Sequence, residues 1–292
     1  MKDFNGVIAA TITPFTEKGE FNESVFEHIM RSNIDAGVNG FWISGGTGES
    51  VLLEENEVIR TAEISVDICK NKAKTIVHVG GLTTDSSVRK AKGAGKAGAD
   101  AIACVPPFFY HPTDQSIVDH YKAVVDAAEL PLFVYNQPRY TGVEFTPLMM
   151  EKVIKGVPST VGIKHSAADL NNIYHFREMG LQVFTGHGSL FLSALAAGAV
   201  GVVDGPLTPV PELWVSIYKA YSSGDLALAY EAQNKATALV HLMLDYGFYA
   251  ACKLLTGKRL DVDCGIPRLP IPPLSKVDQD AFLGKVSKLG IL

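Results

Sequence analysis

The sequence predicts an α/β protein: a (β/α)8 barrel followed by a C-terminal helical appendage. Three observations predict it. Eight short, β-rich, nearly all-apolar runs recur between residues 6 and 203. Strands apolar on both faces belong to a parallel sheet covered by helices. Longer stretches with charged outer faces alternate with them and read as helices, and eight such units fit a TIM barrel. From Pro209 onward the strand-like runs stop and only helical patterns remain.

The expected strands cover residues 6–11, 40–43, 75–79, 101–105, 132–135, 160–163, 182–185 and 201–203. Helical stretches include 23–36, 54–69, 86–97, 117–128 and 190–197. Ala36-Gly37, Ala97-Gly98 and Ala197-Gly198 each precede a strand, as a glycine C-cap closing a helix does. The competing topology is a doubly wound open sheet, but no GxGxxG follows the first strand, so a dinucleotide site is unsupported. Residues 213–221, 226–246, 249–254 and 277–289 read as further helices, the last two joined by a Pro-rich link at 266–273. The expected division is a barrel with the active site over 1–222 and a helical region over 223–292.

Bulk properties exclude several classes. A hydrophobic fraction of 47% over 292 residues supplies a large core. Net charge is −5 with both signs interspersed, so no basic stripe suits nucleic acid or an anionic membrane. The opening Met1-Lys2-Asp3-Phe4-Asn5 lacks the apolar core of a signal peptide. The longest uncharged stretch, 186–203, is interrupted by Gly188, Ser189, Ser193, Gly198 and Gly201 and reads as a buried helix–loop–strand. Cys69, Cys104, Cys252 and Cys264 form no CxxC pair; they read as reduced thiols of a cytoplasmic protein without a metal site.

Chemistry in such barrels sits on the loops after the strands. The second strand ends in Ser44-Gly45-Gly46-Thr47-Gly48-Glu49-Ser50, whose glycines expose backbone N–H groups suited to a carboxylate or phosphate. A plain strand–helix turn capped by Ser50 or Glu49 is the alternative. The fifth strand ends in Tyr135, facing the mouth if the register allows, or else a core tyrosine. The sixth delivers Lys164 from an apolar run with no carboxylate nearby in sequence. Barrel walls would desolvate it, and a neutral amine attacks a carbonyl to give a Schiff base. A rim lysine reaching solvent is the other reading. His187 follows the seventh strand between glycines, and Asp204 ends the eighth.

Gly45-Gly46-Thr47-Gly48-Glu49, Tyr135-Asn136-x-Pro138 and Gly162-Ile163-Lys164 resemble, in order and spacing, the signature of the dihydrodipicolinate synthase / N-acetylneuraminate lyase family. The resemblance runs from about Gly6 to Arg268–Ser275. It implies a (β/α)8 barrel with C-terminal helices, usually a homotetramer, a dimer of dimers. It implies a class I aldolase mechanism on a 2-keto acid, commonly pyruvate, with no metal or nucleotide cofactor. Lys164 would form the Schiff base, Tyr135 would be the acid/base, and Gly46 and Thr47 would hold the carboxylate, Thr47 also adding a hydroxyl. Further substrate contacts are expected at Tyr140, Ser166, His187 and Val203.

Departures bear on the substrate. Gly46 stands where the family has a hydroxyl residue, Phe109 where a tyrosine is lent across a dimer interface, and Tyr140 where the synthases carry arginine. His187-Gly188-Ser189 replaces the acidic pair of the sialic acid lyases. The expected reaction is therefore lysis or condensation, with pyruvate, of a 2-keto-3-deoxy sugar acid or sialic-acid-like compound. A sugar-acid dehydratase, the synthase itself and a non-catalytic keto-acid-binding relative are the alternatives. His165 and His187 are candidate proton carriers, although strand alternation turns His165 away from a pocket that Lys164 faces.

Overall fold

The computed structural model describes residues 4–110 and 112–292; residues 1–3 of the opening read above lie outside them. Eight parallel strands close into one barrel in chain order: β1 Gly6–Ala10, β2 Gly40–Ile43, β3 Lys74–His78, β4 Ala101–Cys104, β5 Leu132–Asn136, β6 Thr160–His165, β7 Gln182–Thr185 and β8 Gly201–Asp204. β8 pairs back onto β1. The barrel class is the one expected. Strand ends differ by a residue or two, because polar Asn136, His165 and Asp204 continue ladders that an apolar criterion stops short of.

The outer helices are α1 Glu23–Asp35, α2 Glu55–Cys69, α3 Thr84–Ala97, α4 Asp114–Ala128, α5 Pro138–Thr141, α6 Pro147–Gly156, α7 Asn171–Glu178, α8 Phe191–Ala196 and α9 Pro211–Ser223. α3 and α4 begin two and three residues earlier than expected. The hydroxyls of Thr83 and Thr113 accept the N–H groups of Ser86 and Ser116 and so cap an earlier first turn. Gly37, Gly98 and Gly198 all adopt positive φ, as the Ala-Gly pattern requires.

The barrel interior is filled by Ile8, Ala10, Trp42, Ile76, Phe133, Tyr135, Phe184 and Val203. Phe133 and Phe184 fit because Gly162 and Gly201 have no side chain: a Cβ there would lie 2.3 Å and 2.8 Å from the two rings. Positions 133, 135, 162 and 164 thus face inward, and Asn136 and His165 face the helices.

Beyond the barrel lie α10 Leu226–Tyr246, α11 Phe248–Leu260 and α12 Lys276–Lys288. α11 is longer than the sequence pattern indicates. At Gly247 (φ +95°, ψ +96°) the chain turns by 118° between α10 and α11, a backbone conformation open to glycine. That turn lays the first half of α11 against the mouth, where Phe248 meets Gly205 and Thr47. No single helix among the described residues is long and apolar enough to cross a membrane.

Candidate active site

β5 and β6 pair with Tyr135 directly opposite Lys164. Both point inward and both are buried, at 6% and 4% exposure. The Lys164 Nζ lies 4.3 Å from the centre of the Tyr135 ring and 5.1 Å from that of Trp42. Tyr135 stands edge-on to Trp42 and His78, with centroids 5.5 Å and 5.8 Å apart. Among the described residues no carboxylate forms an ion pair with Lys164. The amine is therefore walled by aromatic rings, with the buried Asp204 carboxyl near enough to feel its charge but not in direct contact.

The loop after β2 comes next to Tyr135. Gly46–Gly48 forms a single 3-10 turn. The N–H groups of Gly48, Glu49 and Ser50 donate back to Gly45 and Gly46 carbonyls. Those of Gly46 and Thr47 have no acceptor among the described residues. Two adjacent free N–H groups form a concavity for an anion. A Cβ on Gly46 would lie 3.7 Å from the Tyr135 hydroxyl, so this anion site and the phenol are neighbours. Thr47 is half-buried against Gly205.

A cavity of about 290 Å3 opens beside Tyr135, lined among others by Gly46, His78, Phe108, Tyr140 and Tyr249. Tyr140 is 64% exposed, and the Tyr249 proton is held more firmly because that group is buried near Tyr140. His78 donates Nδ1–H to the Ser44 carbonyl at 3.2 Å. Burial, helped by nearby Lys90, lowers its pKa to about 3, so the ring is neutral. A groove of about 1200 Å3 between the N-terminal loop and α11 is larger, but none of the expected site residues lines it.

The remaining expected contacts are placed as follows. The Ser166 N–H donates to the Asn136 carbonyl at 2.8 Å, and its Oγ presses on Gly186, where a Cβ would lie 1.7 Å away. His187 donates Nε2–H to the Ala167 carbonyl at 3.0 Å and so ties the loop after β7 to that after β6. Val203 is buried inside the barrel. His165 lies behind the strand: its Nδ1 accepts the Asn136 amide N–H at 3.1 Å, its Nε2–H donates to the Asp169 carbonyl at 2.9 Å, and its ring packs on Phe176. Burial lowers its pKa. Asp204 accepts the N–H groups of Gly188 and Gly205, both at 2.8 Å. Burial raises its pKa, and Lys164 and the two donors act against that.

Sequence reading missed Trp42, His78 and Tyr249. The first two occupy alternate positions of β2 and β3, a period-two signal available once the barrel is assumed. Tyr249 arrives through the turn at Gly247, which nothing local announces. Among the described residues no group of three or more His, Cys, Asp or Glu side chains is placed to hold a metal.

A closed parallel barrel with a buried lysine, an adjoining phenol and two open N–H groups at its mouth has the build of an enzyme, a lyase of the class I aldolase kind. Residues 3–289 match the dihydrodipicolinate synthetase family, and the chain belongs to it. It is 30% identical over 278 residues to an N-acetylneuraminate lyase of Citrobacter koseri, covering 94% of this chain and 93% of that one. The Clostridium difficile protein CdNal, solved in complex with mannosamine, superposes with a TM-score of 0.93 at 26% identity over 99% of this chain and 100% of that one. The dihydrodipicolinate synthase of Aquifex aeolicus superposes with a TM-score of 0.91 at 26% identity over 99% of both.

Proposed function

We propose that the protein is a class I lyase that cleaves or forms a carbon–carbon bond next to a 2-keto acid carried as an imine on Lys164. The observation that carries this is the Lys164–Tyr135 pair beside the free N–H groups of Gly46 and Thr47. The keto acid's carboxylate occupies those N–H groups, which sets its keto carbon over Lys164. The amine adds to that carbon as the C=O π pair moves to oxygen, and a proton passes from the nitrogen to that oxygen to give a carbinolamine. Tyr135 gives its proton to the departing hydroxyl, so water leaves and an iminium remains. The phenolate then takes the C4 hydroxyl proton as the C3–C4 bond breaks, and the bond's electron pair flows into the iminium to give a neutral enamine. The proton returns to C3, water adds to the iminium with its proton passing to the phenolate, and pyruvate departs. The imine itself is the electron sink, so the reading needs no metal or nucleotide.

Within this class, the C. koseri relative's name supports a 2-keto-3-deoxy sugar acid or sialic-acid-like substrate. Among the described residues that line the cavity beside Tyr135 there is no arginine or lysine. That disfavours compounds whose second half carries another carboxylate, the synthase's among them. A dehydratase running through the same imine is the second reading, favoured by the bare Gly46. We further propose a cytoplasmic homotetramer: all four cysteines are free and buried, and Phe109 and Tyr110 stand exposed after β4, where a partner would cover them. Incubation with pyruvate and borohydride, followed by digestion, tests the chemistry; the expected result is a mass increment on the Lys164 peptide, and its absence overturns the mechanism. Pyruvate release from a panel of sugar acids, beside a dehydratase assay, decides the substrate.

A further inference from the structure

The anion-binding turn carries at its end a residue that the mechanism above does not use. Glu49 adopts φ +64° and ψ +33°, a left-handed conformation that non-glycine residues seldom hold without support. Its carboxylate is buried and both oxygens are engaged. Oε1 lies 2.8 Å from the Nζ of Lys253, with the two side chains 0% and 2% exposed. Oε2 accepts the backbone N–H of Arg268 at 2.7 Å. Lys253 also donates to the Ile266 carbonyl at 3.1 Å and sits 4.0 Å over the Phe15 ring. The Arg268 guanidinium grips the same segment again: it binds both oxygens of Glu57, at 2.5 Å and 2.6 Å, and donates to the Leu52 carbonyl at 2.9 Å.

Lys253 lies four residues after Tyr249 on α11, so one helix face meets both the cavity beside Tyr135 and the Glu49 carboxylate. On its other side the turn is fixed by Thr13, whose hydroxyl donates to the Gly48 carbonyl at 2.8 Å. The two residues with free N–H groups, Gly46 and Thr47, thus lead directly into Gly48 and Glu49, which a threonine beyond β1 and a buried ion pair with α11 hold in place. Burial lowers the Lys253 pKa, and the Glu49 carboxylate opposes that, so the lysine depends on this partner to keep its charge.

We propose that Glu49 and Lys253 are positioning residues for the keto-acid carboxylate: the C-terminal helices, through this ion pair, hold the Gly46 and Thr47 N–H groups in the orientation that binds it. The inference rests on the reading of Lys164 and the anion site given above. It predicts a split that a purely structural brace does not produce. Losing the pair weakens pyruvate capture and leaves the imine chemistry at saturation nearly unchanged, because neither residue touches Lys164 or Tyr135.

The test follows the rate of the borohydride-trapped pyruvate adduct by intact mass against pyruvate concentration, with far-UV circular dichroism and thermal unfolding alongside. In Lys253→Met and Glu49→Gln the half-saturating pyruvate concentration is expected to rise about ten- to a hundred-fold, the scale for displacing a binding group by about an ångström. The maximal trapping rate stays within about three-fold of wild type, and Lys253→Arg recovers most of the affinity. Arg259→Met, which removes a different ion pair of α11 with Glu212, leaves half-saturation unchanged and controls for general loosening of the helix. Folded Lys253→Met and Glu49→Gln proteins with lowered unfolding temperatures but unchanged half-saturation would overturn the proposal while leaving the imine mechanism intact. If Lys253→Met does not fold, Glu49→Gln, which keeps length and an acceptor oxygen, decides alone. Absence of any adduct in the wild-type protein overturns the reading of the site and this inference with it.

Discussion

Two glycine-rich loops stand at the barrel mouth, one after β2 and one after β7, and in sequence they look alike. In the structure their backbones are used in opposite ways. The loop after β7 is tied down at most of its backbone groups, and among the described residues only the Ser189 N–H lacks an acceptor there. The Gly188 N–H goes to Asp204, and its carbonyl accepts Trp214 Nε1–H and Gln233 Nε2–H. The Ser189 carbonyl accepts the Thr237 hydroxyl, and the His187 N–H goes to Thr185. In the loop after β2, the N–H groups of Gly46 and Thr47 are left open while the residues on either side are fixed. Glycine content marks where the backbone can turn. Which backbone groups remain unpaired decides where a ligand can bind.

The sharpest way to break the comparison is Lys164→Ala. If the β2 side is the reacting side, the trapped pyruvate adduct disappears completely while far-UV circular dichroism and the unfolding temperature stay close to wild type. An adduct persisting on another lysine would move the site elsewhere.

Next in size is Tyr135→Phe. It removes the hydroxyl beside Gly46 and keeps the ring against Trp42, His78 and Lys164. Turnover is expected to fall by about 10²–10⁴-fold, the range for a lost acid/base group. With glycine at position 46 no hydroxyl side chain replaces it there. A variant within a few-fold of wild type would make Tyr135 a packing residue.

Acidification is expected to act on stability through the barrel's neutral histidines. Burial, then Lys90, depresses His78 to about 3 and His120 to about 4. The unfolded chain takes up these protons near pH 6.5, whereas the folded one refuses them. Their contribution is therefore complete above pH 6.5 and is lost as pH falls from there toward the folded values. At pH 5 the loss is about 2 kcal/mol for each. Urea midpoints at pH 7 and pH 5 check this, and His120→Asn should show a smaller drop than wild type.

The smallest effects come from a crossed pair of glycine substitutions. Gly188→Ala places a methyl 2.9 Å from Trp214 Nε1 and 3.0 Å from an Asp204 oxygen. It should cost about 1–3 kcal/mol of stability and leave pyruvate trapping by the folded protein unchanged. Gly46→Ala meets only the Tyr135 hydroxyl, at an ordinary 3.7 Å. Stability should stay within about 0.5 kcal/mol, and turnover should fall. Calorimetry and trapping kinetics on both variants check the pattern; the reverse result would exchange the roles of the two loops.

Much was determined by the sequence alone. Apolar runs of strand length, separated by amphipathic stretches, permit few folds, and the Ala-Gly caps at Gly37, Gly98 and Gly198 mark where helices end. A lone lysine and a lone tyrosine ending apolar strands stand out, because burying such groups is costly without a purpose. Strand alternation was enough to turn His165 away from Lys164. Other facts depend on residues far apart in the chain. That Tyr135 sits opposite Lys164 follows from the β5–β6 register, and that Trp42 and His78 join them follows from barrel closure. Ser166 and His187 were singled out by position; the structure adds that the His187 ring bonds the Ala167 carbonyl and that the buried Ser166 hydroxyl has no partner among the described residues. The expected boundary at residue 222 follows a change of pattern along the chain, but Glu49, Lys253 and Arg268 meet across it. Local pattern reports which residues must be buried and how the backbone turns. Only closure of the barrel, with α11 folded over its mouth at Gly247, sets which buried groups find partners and which N–H groups are left open.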